Sequence, residues 1–293
     1  MLGTDPRRTD YRLDSGLTLA ADAYGDPSAP AVVFLHGGGQ TRHAWGGAAR
    51  AVAQAGFFAL CLDHRGHGES DWDPAGDYRV EAFVADLRDV LARLPGKPFL
   101  VGASLGGIAA MTATGTSPEP LSRGVVLVDV TPRLEHRGVL HVLGFMAARP
   151  EGFATLDEAA DLIAAYLPHR PRPKDLGGLE KNLRRGADGR YRWHWDPRLM
   201  TVWNVEHVDA EEIQRALDER IVAARGLREP VLLVRGRTSE VVSEEVAREF
   251  LALVPHAEYV DLAAGHMVAG DSNDAFASAV LAFLQKHASA PAS

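Results

Sequence analysis

The segment that most constrains this chain is Pro98-Phe99-Leu100-Val101 followed at once by Gly102-Ala103-Ser104-Leu105-Gly106. The first four residues form an apolar run of strand character, and Gly107-Ile108-Ala109-Ala110-Met111 opens a helix built from small residues. Such a chain must turn within a residue or two, and glycines flanking Ser104 allow a backbone approach that a Cβ would block. The pattern reads as a nucleophile elbow, a serine held in strained geometry at the carboxyl end of a strand. The plainer reading of the same residues is a strand-to-helix turn without chemistry.

Around this segment, apolar runs of strand length alternate with helical patterns, as in crossover units that build a mostly parallel sheet. Candidate strands are Leu17–Ala23, Ala31–His36, Phe57–Asp63, Pro98–Ala103, Gly124–Val130, Pro230–Arg235 and Ala257–Asp261. Val80–Leu94 carries Phe83, Val84, Leu87, Val90, Leu91 and Leu94 at helical spacing, a core stripe. The strand pattern lapses between Thr131 and about Leu227. That stretch holds helix-like Leu156–Leu167, the basic loop His169-Arg170-Pro171-Arg172-Pro173 and the aromatic Tyr191-Arg192-Trp193-His194-Trp195. The expected organisation is a core of residues 1–130 and 228–287, an insertion of 131–227 packed over the sheet, and a frayed tail of 288–293. A length of 293 residues suits one α/β domain carrying such an insertion.

With 31 Lys and Arg against 39 Asp and Glu, the net charge of −8 argues against a generic nucleic-acid binder. An anionic small molecule is not excluded, because local clusters matter more than the sum. Arg170, Arg172 and Lys174 would either attract one or simply be solvated. Cys61 is the single cysteine, so no intrachain disulfide forms, and its apolar surroundings predict a buried free thiol. The first residues lack the apolar stretch of a secretory signal, and no run approaches the ~18 apolar residues that span a bilayer. A cytoplasmic protein without membrane insertion is expected.

Chemistry-bearing residues fall at the ends of predicted strands, where open parallel sheets place their sites. His36-Gly37-Gly38-Gly39 follows Val32-Val33-Phe34-Leu35. A glycine loop there can offer a backbone N–H to an oxyanion, and the residue after the serine offers a second, so Gly38 and Leu105 are the expected donors. Gly265-His266 follows the last strand, and imidazole can take and return a proton near neutrality. The acid that would orient His266 is either Asp129, after Val125-Val126-Leu127-Val128, or Glu240, in Gly236-Arg237-Thr238-Ser239-Glu240. Asp63-His64-Arg65-Gly66-His67-Gly68-Glu69-Ser70-Asp71 is read as a turn organised by Asp63 and Arg65; His64 and His67 lack a third clustered ligand for a metal site.

Together these residues resemble the α/β-hydrolase superfamily, and Asp63-x-Arg-Gly-x-Gly-x-Ser70 with the Gly-His pair resembles its epoxide-hydrolase-like and small-ester-hydrolase branches. The resemblance implies an α/β fold with a mostly parallel eight-stranded sheet flanked by helices, a helical cap from roughly Thr131 to Leu227, and no cofactor. Members with alkyl-enzyme chemistry carry an aspartate in the elbow; Ser104 points instead to acyl transfer. The superfamily's usual acid position is Ser239 here. In a subset the acid moves to the preceding strand end, which favours Asp129, with Ser239 supporting the histidine and Glu240 the alternative. The expected activity is a serine hydrolase, carboxylesterase-like, cleaving an ester, lactone or thioester of a small to medium, partly apolar molecule. Trp193, Trp195, Trp203, Tyr166 and Phe145 are candidate pocket walls, each also a candidate for the insertion's own core. A cofactor-free lyase or oxygenase on the same scaffold, or a ligand-binding receptor with little turnover, is the alternative. Oligomeric state is not legible in the sequence.

Overall fold

The computed structural model describes residues 5–168, 170, 172, 176–203, 209–271 and 273–288. Its centre is an eight-stranded sheet made of β1 (Arg7–Arg12), β2 (Thr18–Tyr24), β3 (Ala31–Leu35), β4 (Phe58–Leu62), β5 (Phe99–Ala103), β6 (Gly124–Val128), β9 (Val231–Gly236) and β10 (Glu258–Leu262). The strand order is β1-β2-β4-β3-β5-β6-β9-β10; β1 and β2 are antiparallel to their neighbours and every other pairing is parallel. β1 extends the expected set. It is an exposed edge strand whose charged residues carry no apolar signal.

Side chains alternate between two cores. On one face Val33, Leu35, Leu60, Leu100 and Leu127 pack under α2 (Val80–Ala92), α3 (Leu105–Gly115) and α8 (Glu244–Leu253). On the other Val32, Phe34, Ala59, Val101 and Val126 pack under α1 (Gly46–Gln54), the short α9 (Val268–Asp271) and α10 (Asn273–Ala288). The chain therefore leaves β3 toward one face and its sheet neighbour β5 toward the other, which opens a crevice beyond their carboxyl ends. Cys61 is fully buried, and burial pushes its thiol pKa well up, as an inert core residue.

Between β6 and β9 the chain forms α4 (His136–Ala147), α5 (Leu156–Tyr166), the hairpin of β7 (Leu183–Arg185) and β8 (Tyr191–Trp193), the short α6 (Leu199–Val202) and α7 (Ala210–Arg225). The first of these share a third core, in which Met146, Phe153, Trp193, Trp195 and Leu199 pack onto Phe83, Leu105 and Ala109. Helix α7 does not join them. Its Ala224 lies in the sheet core, and Gly115 of α3 sits so close to it that a Cβ would fall 1.8 Å from the Ala223 carbonyl oxygen. The stretch over the sheet is thus shorter than 131–227, since an amphipathic helix reads the same in sequence whichever layer it covers. Ala288 closes α10 and is not part of a tail, whose remaining residues, like Lys174, lie outside the described set.

Candidate active site

Ser104 caps the start of α3 with φ 45° and ψ −115°, a conformation that costs a non-glycine residue about 1–3 kcal/mol and persists only where its surroundings over-determine it. They do so here. The Ser104 N–H donates to Val128 O at 3.3 Å, its carbonyl accepts from Ile108 N–H at 2.8 Å, and Gly106 N–H donates to His36 O at 3.2 Å. Close approach explains the glycines: a Cβ on Gly106 would lie 2.4 Å from Leu35 O, and one on Gly102 would lie 2.5 Å from Gly106 O.

The loop after β3 faces this elbow, with an ideal Cβ on Gly37 falling 3.3 Å from Ser104 Cβ. Its amides are unequally occupied. Gly37 N–H donates to Gln40 Oε1 at 3.0 Å and Gly39 N–H to His67 Nε2 at 3.2 Å. Among the described residues the Gly38 and Leu105 N–H groups have no protein acceptor. Those are the two amides expected from the sequence to meet an oxyanion. Trp203 backs the loop, its Cζ3 3.1 Å from where a Gly38 Cβ would be.

At the far side of the crevice, His266 Nδ1 lies 2.6 Å from Asp129 Oδ2. Asp129 is fully buried at the end of β6, with φ 51°, a left-handed conformation that aspartate tolerates better than most residues. Its carboxylate is saturated: Gly236 N–H donates to Oδ1 at 2.9 Å and Ser239 Oγ–H to Oδ2 at 2.5 Å. Ser239 Oγ in turn accepts from Val241 N–H at 3.1 Å and Val242 N–H at 3.2 Å. These donors offset the cost of burying a carboxylate. Glu240 is placed elsewhere. Its carbonyl packs against Gly138 of α4, and its side chain, 61% exposed, pairs with His141 Nδ1 at 3.1 Å.

The family model for the alpha/beta hydrolase fold matches residues 30–272, a span running from β3 to the end of the His266 loop and beyond. The chain belongs to that family. Esterase Rv0045c of Mycobacterium tuberculosis is 32% identical over 261 residues, covering 83% of this chain and 79% of that protein. The 3-hydroxybutyrate-oligomer hydrolase of Cupriavidus necator is 29% identical over 255 residues, covering 83% and 85%. Among solved structures, E-2-(acetamidomethylene)succinate hydrolase superposes with a TM-score of 0.80 at 26% identity, covering 95% of this chain and all of that one. No helix among the described residues is long and apolar enough to cross a membrane.

In this alpha/beta hydrolase, Ser104 and His266 line one chamber of about 190 Å³, walled by Gly37 to Gln40, Val142, Phe145, Met146 and Met267. A second of about 430 Å³ adjoins it, sharing Phe145, Tyr166, Arg170 and Met267 and adding Leu179, Lys181, Trp193 and Trp195. The aromatic candidates therefore divide. Phe145 and Tyr166, stacked at 4.2 Å, border both chambers; Trp193 and Trp195, stacked at 4.8 Å, border only the outer one; Trp203 lines neither. Burial beside Glu240 pushes the Tyr166 hydroxyl up to about 12, so it is a neutral donor. Gln40, Met146 and Met267 were not among the residues singled out by sequence, because no spacing rule marks them. Gln40 ties two loops together: its Oε1 holds Gly37 N–H and its Nε2 donates to Met267 Sδ at 3.1 Å.

Beneath the glycine loop lies the turn after β4. Asp63 is held by Arg42, whose Nη1 lies 2.5 Å from Oδ2, while Arg65 grips Asp86 in a bidentate pair at 2.6 and 2.5 Å. The turn thus depends on an arginine that sequence reasoning had not connected to it. His36, His64, His67 and His194 are all buried there, and their ring nitrogens serve backbone groups: His64 N–H donates to His36 Nε2 at 3.0 Å, and Gly68 N–H to His194 Nδ1 at 2.8 Å. Desolvation drives all four pKa values down, to about 3 for His64 and about 4 for His67.

Proposed function

We propose that this chain is a serine hydrolase that cleaves a carboxylic ester, lactone or thioester of a small to medium, partly apolar molecule through an acyl-enzyme. The observation that carries the reading is the buried, fully hydrogen-bonded Asp129 at 2.6 Å from His266 Nδ1, in a chamber that also holds the strained Ser104. A carboxylate on Nδ1 fixes the imidazole tautomer with its proton there, leaving Nε2 to accept. Nε2 takes the proton of Ser104 Oγ as that oxygen attacks the carbonyl. The oxyanion is received by Gly38 and Leu105 N–H, the amides without another acceptor. His266 then protonates the leaving group, and water, deprotonated by the same nitrogen, releases the acid product.

The segment from α4 to α6 acts in this reading as a cap, because its side chains wall the chambers while the sheet supplies the reacting groups. The relatives named as an esterase and an oligomer hydrolase support ester cleavage as the reaction class. A fluorophosphonate probe tests it directly: Ser104 should be phosphonylated, and Ser104→Ala should lose ester turnover by ~10³-fold or more while keeping its fold. A folded Ser104→Ala protein with near-parental rates overturns the proposal. Labelling without steady turnover on any ester would favour a receptor, and turnover without labelling would favour proton-transfer chemistry on the same scaffold.

A further inference from the structure

Three consecutive glycines hold an amide in one direction only if something outside them fixes their shape. Without a Cβ each samples positive and negative φ alike, and Gly39 sits at φ 72°. Trp203 and Met146 pack on the loop, but apolar contact has no direction. Hydrogen bonds supply it. Gln40 N–H donates to Gly37 O at 3.1 Å and closes a four-residue turn, and His36 Nδ1–H donates to the same oxygen at 2.8 Å. Gly37 O and Gly38 N–H belong to one planar peptide, so holding the oxygen aims the N–H. The Gln40 side chain holds the peptide on the other side of Gly37: Oε1 accepts Gly37 N–H at 3.0 Å and lies 3.2 Å from the ideal Gly37 Cβ position, which Ser104 Cβ approaches to 3.3 Å. Because the amide oxygen must meet that N–H, the amide NH2 is turned away from it. It donates to Met267 Sδ at 3.1 Å, one residue beyond His266. One half-buried amide thus spans from the glycine loop to the His266 loop where the two chambers meet, and both Gln40 and Met267 line both chambers.

We infer that Gln40 is a positioning residue, whose side-chain amide fixes the direction of Gly38 N–H through Gly37 and keeps it in register with His266 through Met267. The inference rests on the serine-hydrolase reading and adds to it a residue that acts through two others. Donors serve a developing oxyanion only where they are already aimed, and a misplacement of about 1 Å costs about 10²-fold. A glycine loop displaced by itself carries Gly38 away from Leu105, and a displaced His266 loop carries Nε2 away from Ser104 Oγ. The Gln40 amide resists both. A thioether is a weak acceptor, so the link to Met267 is the lesser of the two.

The competing role is direct contact with substrate, which would show in KM. Turnover of p-nitrophenyl butyrate, counted per site titrated with a fluorophosphonate, separates the two. Gln40→Met, similar in length but without the amide, should lower kcat by about tenfold or more with KM within about twofold. Met267→Leu, a swap that conserves volume, should lower kcat by a smaller factor. In the Gln40→Met background Met267→Leu should add nothing, because the link is already gone. Inhibition by a trifluoromethyl ketone of matching chain length should weaken by the same factor as kcat/KM in each variant. In that adduct Ser104 Oγ bonds to the carbonyl carbon, the serine proton passes to His266 Nε2, and the carbonyl oxygen becomes the oxyanion that faces Gly38 and Leu105. A folded Gln40→Met protein with parental kcat, a loss confined to KM, or single losses that multiply in the double variant overturns the inference. If Gln40→Met fails to fold, Met267→Leu decides: kcat and ketone inhibition falling together support the inference, and parental values overturn it. If the parent turns over no ester and Ser104 is not labelled, the hydrolase reading itself fails and this inference with it.

Discussion

At the scale of single residues, the carboxylate proposed to orient His266 is the informative position. Asp129 touches His266 only because β6 ends in a left-handed turn at φ 51°, while Ser239, at the position where the acid more often sits, spends its hydroxyl holding that carboxylate. Asp129→Asn keeps the shape but removes the charge and favours the wrong imidazole tautomer, so kcat should fall by up to ~10⁴-fold. Ser239→Ala removes one hydrogen bond to a buried charged group and should cost about tenfold or more in kcat, since such bonds contribute ~1.5–3 kcal/mol. Glu240→Gln, at an exposed pair with His141, should leave turnover within about twofold, as surface pairs contribute little. Steady-state kinetics on one p-nitrophenyl ester rank the three, and a larger loss in Glu240→Gln than in Asp129→Asn would reassign the acid. The serine, the glycine loop and His266 were legible because each sits beside an apolar run. The acid was not decidable from spacing, because which carboxylate turns inward depends on a backbone kink and on donors contributed from β9.

Among the elements, the turn at Ser104 is a packing device, whatever chemistry is proposed for its serine. β5 and α3 approach β3 so closely that a Cβ at Gly106 would meet two carbonyl oxygens, those of Leu35 at 2.4 Å and His36 at 2.7 Å, both backbone. Gly106→Ala should therefore destabilise the fold by about 1–3 kcal/mol, seen as a lower denaturation midpoint, and should slow turnover by displacing Leu105 N–H. An unchanged midpoint would mean that β3 shifts at no cost. The segment from α4 to α6 behaves differently: Trp195 is 4% exposed, stacked on Trp193, and still borders the outer chamber. Trp195→Ala should lower thermal stability and also change selectivity among acyl chain lengths more than reactivity toward acetate; equal loss on all esters would leave it a core residue only. Element by element, the strands buried on both faces were readable from apolar runs, whereas β1 was not, because its residues are charged and exposed. The boundary at α7 was hidden for another reason. Its small, apolar face packs on Gly115, and nothing in its own periodicity names that partner.

For the molecule as a whole, the buried histidines couple stability to pH through the glycine loop. Gly39 N–H donates to His67 Nε2, Gly68 N–H to His194 Nδ1 and His64 N–H to His36 Nε2, so each of these rings must be neutral to accept. Their folded pKa values lie below the ordinary 6.5, at about 4 for His67 and about 3 for His64, with His36 and His194 lowered by the same desolvation. The sign follows: as pH falls below ~6.5 the unfolded chain binds protons that the folded one refuses, so stability is full above that value and is lost progressively toward pH ~4. His67 alone is worth on the order of 3 kcal/mol across the window. Protonation at the bottom of the window turns its acceptor nitrogen into a donor facing Gly39 N–H, which loosens the loop that carries Gly38. Thermal unfolding followed from pH 7.5 to 4.5 should show the midpoint falling steeply below pH 6.5. His67→Gln, which can still accept from Gly39 but does not titrate, should make that limb shallower, while His36, His64 and His194 keep the rest of it; an equally steep limb in the variant would place the acid sensitivity outside His67.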